Sequence, residues 1–237
     1  MIYLNILCTI CARGGSKGVP RKNIKKLNGK PLIYYTINQA IKWGKANKII
    51  VSTEDEEIAN ISRKYGAEVP FLRPKELATD EAGKLDVIKH AVRYYEDLGE
   101  SFDIILDLDP TAPLRSLSDL DNAMNLFLKN NPNNLYSVCE ARKNPYFNMV
   151  ELDNSFRSHI CKKLDKDVLS RQTAPKVYEM NASIYIYEKN FLLQTNTIHS
   201  DNTIVYIMPL ERSIDIDSEI DFYFIEYLIK KGIVEIE

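Results

Sequence analysis

Two hydrophobic rhythms alternate along the chain. Near-continuous apolar runs of strand length fall at 4–11, Lys48–Ser52, Phe102–Leu108 and Leu135–Cys139. Between them, apolar positions recur at helical spacing. Pro31–Trp43 predicts a helix opened by a first-turn proline and closed by Gly44. Thr53 and Glu56 predict a capping box for a helix that stops near Gly66. Val69–Leu72 reads as a short extended piece. Thr79 or Asp80 predicts the cap of a helix over roughly 83–98, with Gly99 after it. Ser116 or Ser118 predicts the cap of another that ends before Pro132. Fully apolar strands alternating with helices predict a mostly parallel sheet covered on both faces.

The rhythm breaks over about 143–176, where short alternating pieces such as Phe147–Leu152 suggest a β-rich insertion. Strand signals return at Ala182–Tyr187 and Thr203–Met208, and a last helix is expected over Ser218–Lys231 with Gly232 at its end. No repeat or low-complexity linker interrupts the chain. A single domain over 1–237 with one insertion is the expectation.

Composition narrows the class. With 237 residues, 45% hydrophobic, 27% charged and a net charge of −2, the chain is neither disordered nor a general binder of polyanions or membrane surfaces. Nucleic-acid partners are therefore not expected. The apolar stretch Ile2–Ala12 is too short to span a bilayer. No Lys or Arg precedes it and no small-residue cleavage site follows, so a soluble, cytoplasmic protein is expected. Cys8 and Cys11 form a C-x-x-C, but three residues apart on a strand they face opposite sides of the sheet, which predicts core packing. The three His have no metal-ligand spacing.

The neutral total hides local concentrations of charge. From Arg13 to Lys30 there are seven basic residues and no acidic one, around Gly14, Gly15 and Gly18. A glycine loop leaving the first strand, with forked and point cations, suits the phosphates of a nucleoside triphosphate. The alternative is a solvated basic turn. The loop is not a Walker A, because Val19 follows Gly18, nor a G-x-G-x-x-G, because Gly14 and Gly15 are adjacent.

Two acidic pairs share a D-x-D spacing. Asp215 and Asp217 alternate with Ile214 and Ile216, so in an extended segment both carboxylates share one face while both Ile face the core. Such a pair suits Mg²⁺, which takes one or two carboxylates plus substrate phosphates. It equally suits the start of the last helix. Asp107 and Asp109 end the 102–108 strand. They admit a rival enzyme, a metal-dependent glycosyltransferase that holds a nucleotide sugar through this pair.

Six ordered blocks carry a resemblance over nearly the whole chain. They are ARGGSKGVPRKNIKKLNGKPL (12–32), VSTEDEEIA (51–59), FLRPKELATDEA (71–82), PTAPLR (110–115), RQTAPKVYEMNASIYIY (171–187) and IDIDSEIDF (214–222). In these the chain resembles the CMP-sialic acid synthetases (acylneuraminate cytidylyltransferases). Within them it is most similar to bacterial enzymes that activate legionaminic acid.

The resemblance implies a three-layer, Rossmann-like α/β nucleotidyltransferase domain of GT-A type with a small β-rich dimerisation insertion. It implies a homodimer that joins CTP to a nine-carbon sugar acid, releasing pyrophosphate, with Mg²⁺ or Mn²⁺. Arg13, Gly14, Gly15, Ser16, Lys22, Asn23, Arg73 and Ala78 would hold the nucleotide, Asp109 and Asn181 would lie at the sugar, and Arg171 and Gln172 would act around the sugar or across the dimer. Asp215 and Asp217 would be the metal ligands, and Lys22, Arg13 and Asp217 the catalytic groups. The chain departs from the family pattern at Asp109, where Gln is usual, at Gly83-Lys84, where a Ser pair is expected, and at Ala182, where Gly is common. N-acetylneuraminic acid, pseudaminic acid and an eight-carbon ulosonate are alternative substrates, and a non-catalytic nucleotide-binding module is a further rival.

Overall fold

Strand β1 (Ile6–Cys11) opens the computed structural model, which describes residues 4–236, and is paired on both sides. The first two residues of the Ile2–Ala12 stretch therefore lie outside the described residues. After β1 comes the glycine loop, followed by a two-residue ladder of β2 (Lys26–Leu27) and β3 (Lys30–Pro31), then α1 (Leu32–Trp43). β4 (Lys48–Ser52), α2 (Glu56–Lys64), α3 (Lys84–Asp97), β5 (Ile104–Leu108), α4 (Leu117–Asn130) and β6 (Asn134–Glu140) continue the alternation. A hairpin of β7 (Val150–Leu152) and β8 (Ser158–Ile160) follows. Then come β9 (Tyr178–Glu188), α5 (Lys189–Gln194), β10 (Thr203–Ile207) and α6 (Glu219–Lys230).

The main sheet runs β10-β6-β9-β5-β1-β4. Its pairs are parallel except at β9, which is antiparallel to both β5 and β6. The expected three-layer α/β architecture is what the chain forms. One face packs Ile6, Cys8 and Ile10 against α1, α2 and α4. The other packs Leu7 and Ile105 against α3 and α5. Cys8 thus belongs to one apolar layer and Cys11 to the opposite one, as period-2 alternation requires. A third cluster joins Val19 and Leu27 of the loop region to Leu32, Leu114, Ile216 and Phe222. It seats the glycine loop against the start of α6.

Local rules place the helix ends, with two exceptions. Gly44 closes α1 in the left-handed region, as Pro31 and Gly44 predict. Ser116, rather than Ser118, caps α4 in a full capping box with Asp119. The Thr53–Glu56 box does not form. Asp55 caps α2 instead, accepting from Ile58 N at 3.0 Å, while Thr53 accepts from Asp55 N at 3.1 Å. A carboxylate one residue before the helix reaches its third amide directly, and this one is also fixed by Arg21. Neither Thr79 nor Asp80 caps α3, whose N-cap is Gly83. Asp80 is drawn off by Arg13 and Lys17. Val69–Leu72 forms no strand, the parallel bridge there being Ile50 to Glu68.

Strand β9 begins at Tyr178, earlier than its sequence signal at Ala182, and is interrupted at Ala182, a left-handed residue with φ of 47°. The pairing register with β6 shifts there, between Tyr136 and Val138. This local bulge re-aims the side chains around it.

Candidate active site

A cleft of about 390 Å³ opens where β1 and β5 end, between the glycine loop, the start of α3 and the segment before α6. Ligands of open α/β sheets bind at such strand ends. Arg13, Ser16, Lys17, Lys22 and Asn23 line it from the loop, Arg73 from beneath, and Asp109, Thr111 and Asp217 from the far wall.

The basic run does not act as one field. Arg21 is left-handed (φ 56°) and turned away, paired with Asp55 and with Glu57 at 2.6 Å. Lys25 pairs with Glu219, and Lys26 and Lys30 are exposed away from the cleft. Arg13, Lys17 and Lys22 are the cations that face it. Asp80 holds Arg13 Nη1 at 2.7 Å and also pairs with Lys17, and these two cations keep its carboxyl below the usual carboxylate range. A bound polyphosphate would take both cations over from Asp80.

The glycines have separate tasks. A Cβ on Gly18 would lie 2.0 Å from the Asp217 carbonyl oxygen, so only glycine lets the loop meet the segment before α6. A Cβ on Gly14 would lie 2.5 Å from the Asp55 carboxylate. Gly15 faces open space. Close packing of chain against chain explains Gly14 and Gly18. Glu54 adds a clamp, accepting from Gly14 N at 2.7 Å and from Arg73 Nη2 at 2.9 Å. Arg73 is buried, and its Nε has no partner. Asn23 is buried too, donating to the Arg13 carbonyl at 2.9 Å, with its Oδ1 unpartnered. Unsatisfied polar atoms of this kind beside a cleft mark groups waiting for a ligand.

The two acidic pairs differ sharply. Asp215 and Asp217 sit in an extended segment whose Ile214 and Ile216 pack into the third apolar cluster, as their alternation predicts. Ile216 N donates to the Thr111 carbonyl at 3.0 Å. Asp217 is exposed, with Lys22 Nζ 3.5 Å from its carboxylate, and Lys22 also donates to the Ile216 carbonyl. Burial pushes the Asp215 carboxyl up to about 6, helped by the charges of Asp109 and Asp217, and its Oδ1 has no hydrogen-bond donor. Among the described residues no three acidic, His or Cys side chains converge to cage a metal. An unpartnered buried carboxylate oxygen beside an exposed carboxylate fits a cation that takes its other ligands from phosphates and water.

Asp107, by contrast, is wholly buried and accepts from Thr9 Oγ1 at 2.7 Å. Lys84 Nζ lies 2.9 Å from Asp107 and 2.9 Å from Asp109. Asp109 also accepts from Thr111 N at 3.2 Å and Thr111 Oγ1 at 2.9 Å. Burial alone would raise Asp109, but the Lys84 charge and these donors hold it below the ordinary value. Buried Arg115 fixes the 109–115 turn, donating to the carbonyls of Asp109, Ala112 and Ser183.

A profile described as Cytidylyltransferase matches residues 7–228. The chain belongs to the cytidylyltransferase family. This cytidylyltransferase is 45% identical over 227 residues to the post-translational flagellin modification protein B of Campylobacter coli, covering 95% of each chain. It is 45% identical over 225 residues to the CMP-N,N'-diacetyllegionaminic acid synthase of Campylobacter jejuni, covering 94% of each. Its fold is that of CMP:2-keto-3-deoxy-manno-octonic acid synthetase, with a TM-score of 0.70 at 13% identity, over 96% of this chain and 99% of that one. It is a CTP-dependent nucleotidyltransferase.

Several residues expected in the cytidylyltransferase site lie elsewhere. Ala78 ends a short 3-10 turn outside the cleft lining, where Leu77, Thr79 and Ala82 stand instead. Arg171 and Gln172 are exposed in the insertion, Arg171 donating to the Arg142 carbonyl at 3.1 Å. Asn181 is buried, bound to Ser137 Oγ at 2.6 Å and Ser213 Oγ at 2.9 Å, and does not line the cleft. Residues that motif reading passed over are Lys84, Asp80 and Glu54. Lys84 did carry a signal, as a departure from the family pattern and as a lysine in the first turn of a helix.

Proposed function

We propose that this enzyme activates a nine-carbon sugar acid of the legionaminic type with CTP, giving CMP-sugar and pyrophosphate for glycosylation of a surface glycan or protein. The observation that carries this reading is the meeting of Lys22, Arg13 and Arg73 with Asp217 in one cleft at the sheet edge, Asp215 standing just behind the lining. The relatives named for legionaminic acid, 45% identical along nearly the full chain, support the substrate class. Pseudaminic acid is the second substrate to test, since a Campylobacter jejuni enzyme named for it is 32% identical over 225 residues.

In this reading the anomeric oxygen of the sugar acid bonds to the α-phosphorus of CTP while the bond to the bridging oxygen breaks and pyrophosphate leaves. Positioning and charge stabilisation supply most of the acceleration. Lys22, held against the backbone at Ile216, neutralises the α-phosphate. Arg13 and Lys17 release Asp80 and receive the leaving pyrophosphate. Ser16 and the amide of Gly15 complete the phosphate contacts, with Gly14 held in the loop by Glu54, while Asn23 and Arg73 offer their unpartnered atoms to the nucleotide. Mg²⁺ or Mn²⁺ held by Asp215 and Asp217 would supply further neutralisation of the phosphate oxygens. Asp217 is the carboxylate we assign as acceptor of the hydroxyl proton.

Asp109 lines the cleft, and we assign it to the sugar acid. Arg171 and Gln172 reach the sugar of a second copy in a homodimer. The insertion's exposed apolar side chains, Phe156 and Leu169 foremost, support that association. No helix among the described residues is long and apolar enough to cross a membrane. A glycosyltransferase built on Asp107 and Asp109 is disfavoured, because Lys84 already bridges that pair.

Pyrophosphate release from CTP, followed against a panel of nine- and eight-carbon sugar acids, tests the proposal. Release is expected with legionaminic acid derivatives above the others. Silence with every acid would sink it.

A further inference from the structure

Lysine is a poor choice at the first position of a helix. The N-terminal amides of α3 carry partial positive charge, and a cation there opposes them. Yet Lys84 begins α3, with Gly83 offering no side-chain cap. A local rule broken this way points to another demand on the residue. The demand is visible in its partners. Nζ lies 2.9 Å from Asp107, 2.9 Å from Asp109 and 4.2 Å from the centre of the Tyr185 ring. Burial would discharge the ammonium, but the two carboxylates more than offset this and hold its pKa well above the ordinary value.

Asp109 is also a neighbour of the other acidic pair. Thr111 donates to Asp109 from both N and Oγ1, and its carbonyl accepts from Ile216, between Asp215 and Asp217. Asp109 is thus tied through Thr111 to the segment that carries Asp215 and Asp217, and with Lys84 holding it the three carboxylates do not converge among the described residues; released from Lys84, a third carboxylate in reach would bind a hard cation more tightly than two.

We propose that Lys84 is the resident cation of this cleft: by bridging Asp107 and Asp109 it withholds Asp109 from the metal, so the chain offers a divalent ion the Asp215–Asp217 pair alone. Lys84 is a positioning residue here. It keeps metal affinity low, so that an ion arrives with the nucleotide's phosphates and leaves with pyrophosphate. The inference rests on Asp215 and Asp217 being the metal ligands.

Mn²⁺ titration of the full chain without nucleotide, followed by the electron paramagnetic resonance of free Mn²⁺, tests it. The decisive variant is Lys84→Met with Asp107→Asn. It removes one charge of each sign, so the net charge of the cluster is unchanged and a general field effect is excluded. It also leaves no unpaired charge at the buried Asp107 position. This variant should bind Mn²⁺ about tenfold more tightly than wild type or better. Adding Asp109→Asn should abolish the gain, and Lys84→Arg, which preserves the bridge, should keep wild-type affinity. A folded double variant with wild-type affinity would overturn the proposal. So would a roughly tenfold loss of affinity on Asp109→Asn in the wild-type background, a measurement that stands even if the double variant does not fold. The premise is checked separately, since Asp215→Asn alone should remove Mn²⁺ binding. Its retention would refute the metal pair without bearing on the Lys84 bridge.

Discussion

The chain spaces Asp107–Asp109 and Asp215–Asp217 identically and puts them in opposite circumstances. The first pair ends a central strand, where Asp107 is fully buried and both carboxylates share Lys84. The second lies on an unpaired extended segment, with one carboxylate exposed and the other holding an unpartnered oxygen. Spacing makes two carboxylates share a face. What that face meets decides whether the pair is structure or equipment. The first face meets the start of α3 and is neutralised from within. In the second, Asp217 meets the cleft, where Lys22 stands 3.5 Å away.

Removing Lys22 should give the largest effect on the open pair. Lys22→Ala loses a preorganised cation at the reacting phosphate, and a loss of about 10²–10³ in kcat is expected with folding intact. Turnover from CTP and circular dichroism of the same preparation check it together. Near-normal turnover would remove Lys22 from the chemistry.

The same substitution in each pair then separates them. Asp107→Asn leaves a buried ammonium short of one counter-charge and should cost about 3 kcal/mol of stability in urea unfolding. Asp217→Asn removes an exposed carboxylate, so the unfolding midpoint should stay near that of wild type while activity falls. If both variants lost stability alike, the contrast between compensated and open pairs would be false.

Most of this architecture is legible in the sequence, and the parts that are not have a common cause. Continuous apolar strands and helical periodicity give the sheet and its layers, and the alternation of Ile and Asp gives the face that Asp215 and Asp217 share. Lys84 shows in the sequence only as a departure; its role is not legible, because its partners are 23 and 25 residues away in the chain and meet it only in the fold. The fate of the basic run is hidden for the same reason. Arg21 and Lys25 look like phosphate ligands until Asp55 and Glu219 arrive beside them. Asn181 resembles a pocket residue by motif, but the break in β9 turns it inward.

Asp215 gives the open pair its pH signature. Its carboxyl is raised by burial from 3.8 to about 6, so between those values the folded chain holds the proton more tightly than the unfolded one. Stability from this group therefore falls as pH rises through that window and stays low above it. Asp215→Asn should match wild type in melting temperature below the window and exceed it increasingly up to about pH 6, then keep a constant advantage. Melting curves across pH 4–8 check this, and a gain confined to the acid end would reverse the sign.

The smallest expected effect concerns how the open pair is aimed. Ala182 holds a left-handed backbone at the register shift in β9, a conformation that costs an L-residue roughly 1–2 kcal/mol and glycine little. The shift turns Asn181 inward to Ser213, two residues before Asp215. Ala182→Gly should relieve that strain and stabilise by up to about 1 kcal/mol, with part of the gain offset by the larger unfolded-state entropy of glycine. Activity should be unchanged if the bulge alone sets the position of Ser213. Asn181→Ala should instead slow turnover without raising KM for CTP, because it loosens the anchor of the Asp215–Asp217 segment and leaves the nucleotide contacts in place. A large rise in sugar-acid KM with unchanged kcat would show that Asn181 touches substrate, and would return it from the scaffold of the open pair to its ligand.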